Sequence, residues 1–114
     1  MTKNLEIYGL AHCSTCVKAQ AELEAAGWTI TFRDVKTSPL TIAEWADLYE
    51  QFGEKLVNRA SLTWRGMKED ERAKTPVEML EAKPSLIKRP AIAAGDLRLL
   101  GWTANVKRAL GVAA

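Results

Sequence analysis

The first apolar stretches of the chain predict a strand followed by a helix. The segment LEIYGL is a short apolar run that ends near Gly9, as a strand does. The next segment, CSTCVKAQAELEAAGW, has apolar residues at helical spacing and Gly27 at the position of a C-cap. The residues of this stripe are Cys16, Ala19, Leu23 and Ala26. We expect Ser14 or Thr15 to cap the helix, which puts Cys13 at or just before its N-terminus.

A second strand follows directly. In WTITFRDV the apolar residues Trp28, Ile30 and Phe32 alternate with polar ones, which is typical of a strand with one buried face. Strand, helix and strand within this short length form a βαβ unit, whose two strands pair in parallel with a right-handed connection.

The middle of the chain is helical. SPLTIAEWADLYEQFG predicts an amphipathic helix between Thr41 and Gly53, and PVEMLEAK predicts another with Pro76 in its first turn. The apolar stripe of the first of these helices consists of Ile42, Trp45, Leu48, Tyr49 and Phe52. One or two short helices are expected in the segment from Glu54 onward, which includes PVEMLEAK.

The end of the chain returns to strands. PAIAA, a turn at Gly95 and Asp96, and LRLLGW predict a β-hairpin, and TANVKRALGV predicts a last helix with Val106 and Leu110 facing inward. We expect one domain over residues 1–114, with a helical insertion at about 39–84. A cysteine pair at the first strand-to-helix turn of such a chain indicates an α/β thioredoxin-like fold with a mixed four-stranded sheet.

Composition excludes several classes of function. The chain has 114 residues, 47% of them apolar, and its 16 Lys and Arg are interspersed with 14 acidic residues. A net charge of +2 without a basic run argues against nucleic-acid binding. No apolar run reaches the ~18 residues that a membrane span needs, and the polar start is not a secretory signal. We therefore expect a cytoplasmic protein, in which thiols are kept reduced.

The two cysteines, Cys13 and Cys16, are the strongest candidates for chemistry. Unpaired N–H groups and the positive end of a helix dipole favour an anion, so they lower the pKa of a cysteine at a helix N-terminus. Cys13 is placed to gain this effect. Cys16, one turn later on the apolar stripe, is expected to be more buried and to have a higher pKa. The interpretation is that Cys13 attacks and that Cys16 can resolve a mixed disulfide.

Other interpretations of the pair stay open. A structural zinc site needs four ligands, and His12 is the only further ligand of suitable chemistry, so we expect no metal. Two unreactive core cysteines would also fit the spacing. His12 is either a cation that stabilises the thiolate or an exposed side chain without chemistry. Three of the four tryptophans, Trp28, Trp45 and Trp102, are best explained as core residues.

Four segments, in order, resemble the arsenate reductase (ArsC)/Spx family of thioredoxin-like proteins. IYGLAHCSTCVKAQAELEAAGW is similar to the active-site strand, turn and helix of the family, and LVNRASLTWRGM to its arginine segment. PSLIKRPAI is similar to its Arg-Pro element and LRLLGW to its last strand. The TWR sequence is typical of the YffB-like branch.

The resemblance implies a set of site residues. Pro90 corresponds to the proline, cis in thioredoxin-like folds, that faces the active-site cysteine. Arg89 and Arg59 correspond to arginines that line the pocket for an oxyanion or a thiol substrate, although each would otherwise be explained as a surface ion pair. Trp64 and Arg65 are weaker candidates to flank a substrate. An arginine suits such a site because its guanidinium is always charged and offers forked donors.

The chain also departs from the family. Gly101 falls where glutaredoxin-linked arsenate reductases have a further arginine, which argues against arsenate as the substrate. Those enzymes lack a CxxC partner, whereas this chain has Cys16, as Spx regulators often do. The resemblance therefore implies a thiol-disulfide oxidoreductase that binds no cofactor and takes glutathione as co-substrate, or a glutaredoxin- or thioredoxin-type reductant. The alternative is a Spx-like redox switch that binds RNA polymerase, although the chain ends after its last predicted helix and has no basic patch.

Overall fold

The computed structural model describes residues 3–113 of the chain. It contains four strands and six α-helices in the order β1, α1, β2, α2, α3, α4, α5, β3, β4 and α6. Two short 3₁₀ turns, Glu54–Leu56 and Pro84–Leu86, follow α2 and α5. The bounds are β1 Asn4–Gly9, α1 Ser14–Ala25, β2 Thr29–Asp34, α2 Ile42–Phe52, α3 Leu62–Arg65, α4 Glu69–Arg72, α5 Pro76–Ala82, β3 Ala91–Ala94, β4 Leu97–Leu100 and α6 Ala104–Ala109.

The four strands form one mixed sheet in the order β2-β1-β3-β4. Strands β1 and β2 pair in parallel, with Gly9 opposite Asp34, whereas β3 is antiparallel to both β1 and β4. The βαβ unit and the hairpin are thus where the sequence predicts them. The fold is the expected thioredoxin-like α/β fold with a mixed four-stranded sheet.

Apolar residues pack into two clusters. One joins the α2–α5 segment to the sheet and is centred on large, fully buried side chains such as Trp45, Leu56 and Ile87. The other includes Ile7 of β1, Leu23 of α1 and Val106 of α6. Both clusters bury side chains from β1 or β3, which run through the middle of the sheet, and this burial holds the ends of these strands in place.

The segment from Glu54 onward forms three short α-helices, α3, α4 and α5, where the sequence predicts one or two. Helices α2 and α5 both begin with a capping box, in which Thr41 pairs with Glu44 and Thr75 with Glu78. Trp45 and Leu48 are buried as the stripe of α2 predicts, but the prediction is wrong for Ile42, whose exposed fraction is 54%. Ile42 is the first residue of the helix and has no core beneath it.

The cap of α1 also differs from the prediction. Neither Ser14 nor Thr15 is the N-cap residue, because the helix begins at Ser14 and Cys13 itself has the N-cap backbone conformation, with φ −77° and ψ 119°. No side chain makes a capping hydrogen bond. The first-turn N–H groups of α1 are therefore left for the Cys13 sulfur or for a ligand.

The tryptophans follow the prediction only in part. Trp45 is a core residue, whereas Trp28 and Trp102 are half-buried and pack against the edge of the second cluster. Trp28 also donates a hydrogen bond from Nε1 to the Leu110 carbonyl at 2.9 Å. Within residues 3–113, no helix has the length and apolar character that crossing a membrane requires.

Candidate active site around Cys13

Cys13 lies at the junction of the β1–α1 loop and helix α1. Its N–H donates to the Leu10 carbonyl at 3.1 Å, and its carbonyl accepts from the N–H of Val17 at 3.0 Å. The first contact closes the loop after β1, and the second starts the helix. The backbone on both sides of the cysteine is therefore fixed. Its side chain is partly exposed and its thiol is free.

The surroundings of Cys13 favour its thiolate. Partial burial raises the pKa of the thiol, but the nearby N–H groups of Cys16 and Thr15 and the Cys16 thiol lower it by stabilising the anion, as does the charge of Arg89. The net result is that the pKa of Cys13 lies below its ordinary value. The two N–H groups belong to the first turn of α1, so the lowered pKa of Cys13 has the physical cause that the sequence predicts.

Cys16 has the opposite environment. It is fully buried, and burial is the main reason that its pKa rises to about 11. The negative charge of a Cys13 thiolate raises it further. The predicted difference between the two thiols is confirmed: one is a partly exposed thiol inclined to ionise, and the other is a buried thiol that keeps its proton.

A cleft of about 420 Å³ opens over Cys13. Its lining residues come from three parts of the chain, namely the β1–α1 junction, the turn after β2 and the segment before β3. They are Leu10, His12, Cys13, Ser14, Asp34, Lys36, Thr37 and Arg89. Within residues 3–113, the side chains of Arg89 and Lys36 make no hydrogen bond or ion pair, so both are free to bind an anion next to the sulfur.

Asp34, like Lys36 and Thr37, lines this cleft but was missed by sequence reasoning. Its Oδ2 accepts from the N–H of Ala11 at 2.7 Å, and its Oδ1 accepts from the N–H groups of Lys36 and Thr37 at 2.8 and 2.9 Å. Burial opposes ionisation of Asp34, but these three hydrogen bonds hold the pKa of the carboxyl below its usual value. Asp34 thereby ties the cysteine loop to the turn after β2. An aspartate at the end of a strand and before a turn is the only signal in the sequence.

The segment before β3 completes the site. The Arg89–Pro90 peptide bond is cis, and Pro90 is buried. The carbonyl of Pro90 accepts from the N–H of Gly101 at 2.9 Å, which fixes the segment to the end of β4. This arrangement leaves the half-buried side chain of Arg89 in the cleft.

Three other predicted residues are not among those that line the Cys13 cleft: Arg59, Trp64 and Arg65. Arg59 lines a second cleft of about 530 Å³, and its guanidinium carbon lies 5.2 Å from the centre of the Trp64 ring. Arg72 lies at the same distance from this ring and donates to the Trp64 carbonyl. Arg65 is exposed at the end of α3. The structure thus brings Arg89 and His12 to Cys13 and places Arg59 and Trp64 together elsewhere.

No cluster of three or more His, Cys, Asp or Glu side chains suitable for a metal ion occurs in the part of the chain that the structure describes. The arrangement suits nucleophilic attack by a Cys13 thiolate, with the cations Arg89 and Lys36 in the same cleft. A strand–loop–helix with the cysteine at the N-cap, together with a cis-proline directly after the Arg89 that lines the same cleft, defines a thioredoxin-like thiol site.

Comparison with known sequences places the chain in one family among proteins with a thioredoxin-like fold. The ArsC family model matches residues 8–110, and the chain belongs to the ArsC family. An uncharacterized protein of Haemophilus influenzae is 31% identical, over 86% of this chain and 90% of its own length.

Solved structures agree with this assignment. The YFFB (PA3664) protein superposes with a TM-score of 0.81 at 27% identity, over 93% of this chain and 97% of its own. An arsenate reductase (ArsC) related protein from Brucella melitensis has a TM-score of 0.74 at 31% identity, over 95% and 93% of the two chains. An arsenate reductase from Vibrio cholerae shares the fold, with a TM-score of 0.73 at 16% identity over 98% and 99%. The chain has the fold of arsenate reductase-like thiol oxidoreductases, in a YffB-like form.

Proposed function

We propose that this protein is a glutathione-dependent thiol-disulfide oxidoreductase in which the Cys13 thiolate is the nucleophile. The observation that carries the proposal is the position of Cys13: an N-cap thiol with a lowered pKa in a cleft that also holds Arg89. A thiolate is the species that attacks a disulfide sulfur, and a lowered pKa increases its population at neutral pH.

The reaction is an exchange of thiols on a mixed disulfide of glutathione. The Cys13 thiolate attacks the glutathione sulfur, a Cys13–glutathione disulfide forms, and the bond to the second thiol breaks, so that thiol leaves as a thiolate. A second glutathione thiolate then attacks the glutathione sulfur of this intermediate. Oxidised glutathione forms and Cys13 leaves as a thiolate. The net result is that the substrate disulfide is reduced by glutathione.

The second step has two candidate nucleophiles, Cys16 and an external thiol. Cys16 could attack the Cys13 sulfur and release glutathione, leaving a Cys13–Cys16 disulfide. However, its burial and a pKa of about 11 keep it protonated at neutral pH. We therefore expect glutathione, or a glutaredoxin- or thioredoxin-type protein, to resolve the intermediate faster than Cys16 does.

Arg89 has a defined part in this scheme. Glutathione has two carboxylates, and the guanidinium of Arg89 offers one of them a forked pair of donors beside the sulfur. Lys36 and His12 line the same cleft and are candidates to contact the second. Arg89 also lowers the pKa of Cys13, so one cation serves both binding and reactivity.

The test is mass spectrometry of the reduced protein after exposure to oxidised glutathione. We expect one glutathione on Cys13 in the wild type and in the Cys16→Ser protein, and none in the Cys13→Ser protein. If the wild type loses the adduct and forms a Cys13–Cys16 disulfide, while the Cys16→Ser protein keeps the adduct, Cys16 is the resolving residue. Glutathione on Cys16 but not on Cys13 would contradict the proposal.

Arsenate is the second substrate to test, because the similar protein from Brucella melitensis is described as arsenate reductase related. The same protein samples are incubated with arsenate and glutathione, and arsenite is measured. If arsenite forms only when Cys13 is present, and faster than a mixed disulfide of glutathione is reduced, arsenate replaces the mixed disulfide as the proposed substrate. This result would leave the role of the Cys13 thiolate intact.

A further inference from the structure

A second cleft, to which the scheme above assigns no role, has a cationic lining. It encloses about 530 Å³, and its charged lining residues are Glu54, Lys55, Arg59 and Lys88. Three of these residues are cationic and only Glu54 is acidic. Apolar side chains such as Val57 and Leu100 form the rest of its wall. The cleft therefore combines a positive potential with surface for an organic group.

The three cations of this cleft have no partner in the part of the chain that the structure describes. Within residues 3–113, the side chains of Lys55, Arg59 and Lys88 form no hydrogen bond or ion pair. The guanidinium of Arg59 instead lies over the Trp64 ring, which holds it in place and leaves its donors free. Three like charges around one cleft repel each other, and an anion placed among them relieves this repulsion.

Lys88 joins the second cleft to the Cys13 cleft. Its chain neighbour Arg89 lines the Cys13 cleft, and consecutive Cα atoms are only about 3.8 Å apart. The linings of the two clefts therefore adjoin along the chain at the Lys88–Arg89 peptide.

We propose that the second cleft binds the acidic group of the thiol that Cys13 displaces from the glutathione sulfur, so that the preferred substrates are mixed disulfides of glutathione with thiols that carry carboxylates or phosphates. This inference rests on the proposed function. It assigns glutathione to the Cys13 cleft and the anionic partner of glutathione to Lys55, Arg59 and Lys88. The bond changes are those given above, and the anionic thiol is the group that leaves.

The test compares three mixed disulfides of glutathione that differ in the charge of the second thiol. These are the disulfides with mercaptosuccinate, which is anionic, with mercaptoethanol, which is neutral, and with cysteamine, which is cationic. We expect kcat/KM to decrease in this order. The ratio of the anionic to the neutral substrate should decrease by about threefold in each of Lys55→Gln and Lys88→Gln, the effect of one exposed ion pair.

The matched control is Lys74→Gln, which removes one exposed positive charge outside both clefts. This variant should keep the wild-type ratio, whereas high salt should reduce the ratio for the wild type by screening. An equal ratio in wild type, Lys55→Gln and Lys88→Gln would overturn the inference. A ratio near one in the wild type would do the same.

A binding measurement separates this inference from the proposed function. The Cys13→Ser protein, which cannot react, is titrated with tricarballylate while its backbone amide resonances are followed by NMR. Shifts at Asn58, Ala60 and Lys88 that disappear in Lys55→Gln support the second cleft. Shifts confined to residues of the Cys13 cleft would refute it. If the wild type does not turn over the mercaptoethanol disulfide, that result counts against the proposed function, whereas the NMR titration still tests anion binding in the second cleft.

Discussion

The sulfur of Cys16 packs directly against Gly9: a Cβ atom at residue 9 would lie 2.6 Å from Cys16 Sγ, closer than such atoms approach. Gly9 is the last residue of β1, and Cys16 lies in the first turn of α1. The missing side chain lets the helix start close to the end of the strand. This contact sets where Cys13 lies relative to the sheet.

Gly9→Ala is therefore expected to destabilise the fold by about 1–3 kcal/mol, the usual cost of forcing an extra methyl group into a packed site. The free energy of unfolding in urea measures this. In a Cys16→Ala background the colliding sulfur is absent, so Gly9→Ala should cost clearly less. If Gly9→Ala lowers the free energy of unfolding equally in both backgrounds, the contact with Cys16 Sγ is not what excludes a side chain at residue 9.

The charge of Arg89 should be measurable in the titration of Cys13. In the Cys16→Ser background, thiolate absorbance near 240 nm should give a pKa for Cys13 below that of a free cysteine, because the helix N–H groups and Arg89 still stabilise the anion. Arg89→Gln should raise this pKa and Arg89→Lys should raise it less. A Cys13 pKa at the free value in the parent protein would contradict the proposed mechanism.

Because the thiol of Cys16 is buried, we expect the folded protein to lose stability in alkaline solution. The pKa of Cys16 is raised to about 11 by burial, so its folded state keeps a proton that the unfolded chain loses above about pH 8.5. Its contribution is complete below that pH and decreases as the pH rises toward 11. The Cys13→Ser protein should lose more stability over this range than the Cys13→Ser/Cys16→Ala protein, as chemical unfolding at each pH would measure. Parallel pH profiles of the two proteins would be inconsistent with a buried Cys16 thiol.

Asp34 should affect both stability and the reactive loop. Asp34→Ala removes the acceptor of three backbone hydrogen bonds, and we expect a loss of about 1–3 kcal/mol. Because the pKa of Asp34 is lowered in the folded state, its contribution is present above about pH 4 and is lost as the pH falls below that.

The measurement for Asp34 has two parts. The stability difference between wild type and Asp34→Ala, from unfolding at several pH values, should shrink in acid. Amide hydrogen exchange at Ala11 should be faster in the variant, because its N–H has lost its partner. Unchanged exchange at Ala11 would mean that another group holds the loop.

Local patterns were sufficient to predict most of the fold. The strand–helix–strand unit and the hairpin rest on apolar periodicity and on glycines, and both are local. Ile42 shows the limit of this reasoning, since periodicity gives the direction of a side chain but not whether a core lies beneath it. The wrong expectation for the cap of α1 has a similar cause, because Ser14 and Thr15 have the right side chains but lie just inside the helix.

The site was predicted less completely than the fold. Cys13 and Arg89 were identified because one starts a helix and the other precedes a proline in a segment that resembles the family. Asp34 was missed because its role depends on the Ala11 N–H, which is distant in sequence. The separation of Arg59 from the Cys13 cleft was also not predictable, since side-chain direction in the irregular segment between α2 and α3 follows from packing against Trp64.

The parallel pairing of β1 with β2 has a consequence for how this site can vary in evolution. Asp34 stands opposite Gly9, one strand away from the reactive loop, so the hydrogen bond to Ala11 exists only in this register. Inserting or deleting a single residue in β2 would move a neighbouring side chain, Arg33 or Val35, into that position and leave the loop without its anchor. We therefore expect no change of length to be tolerated between Trp28 and Asp34.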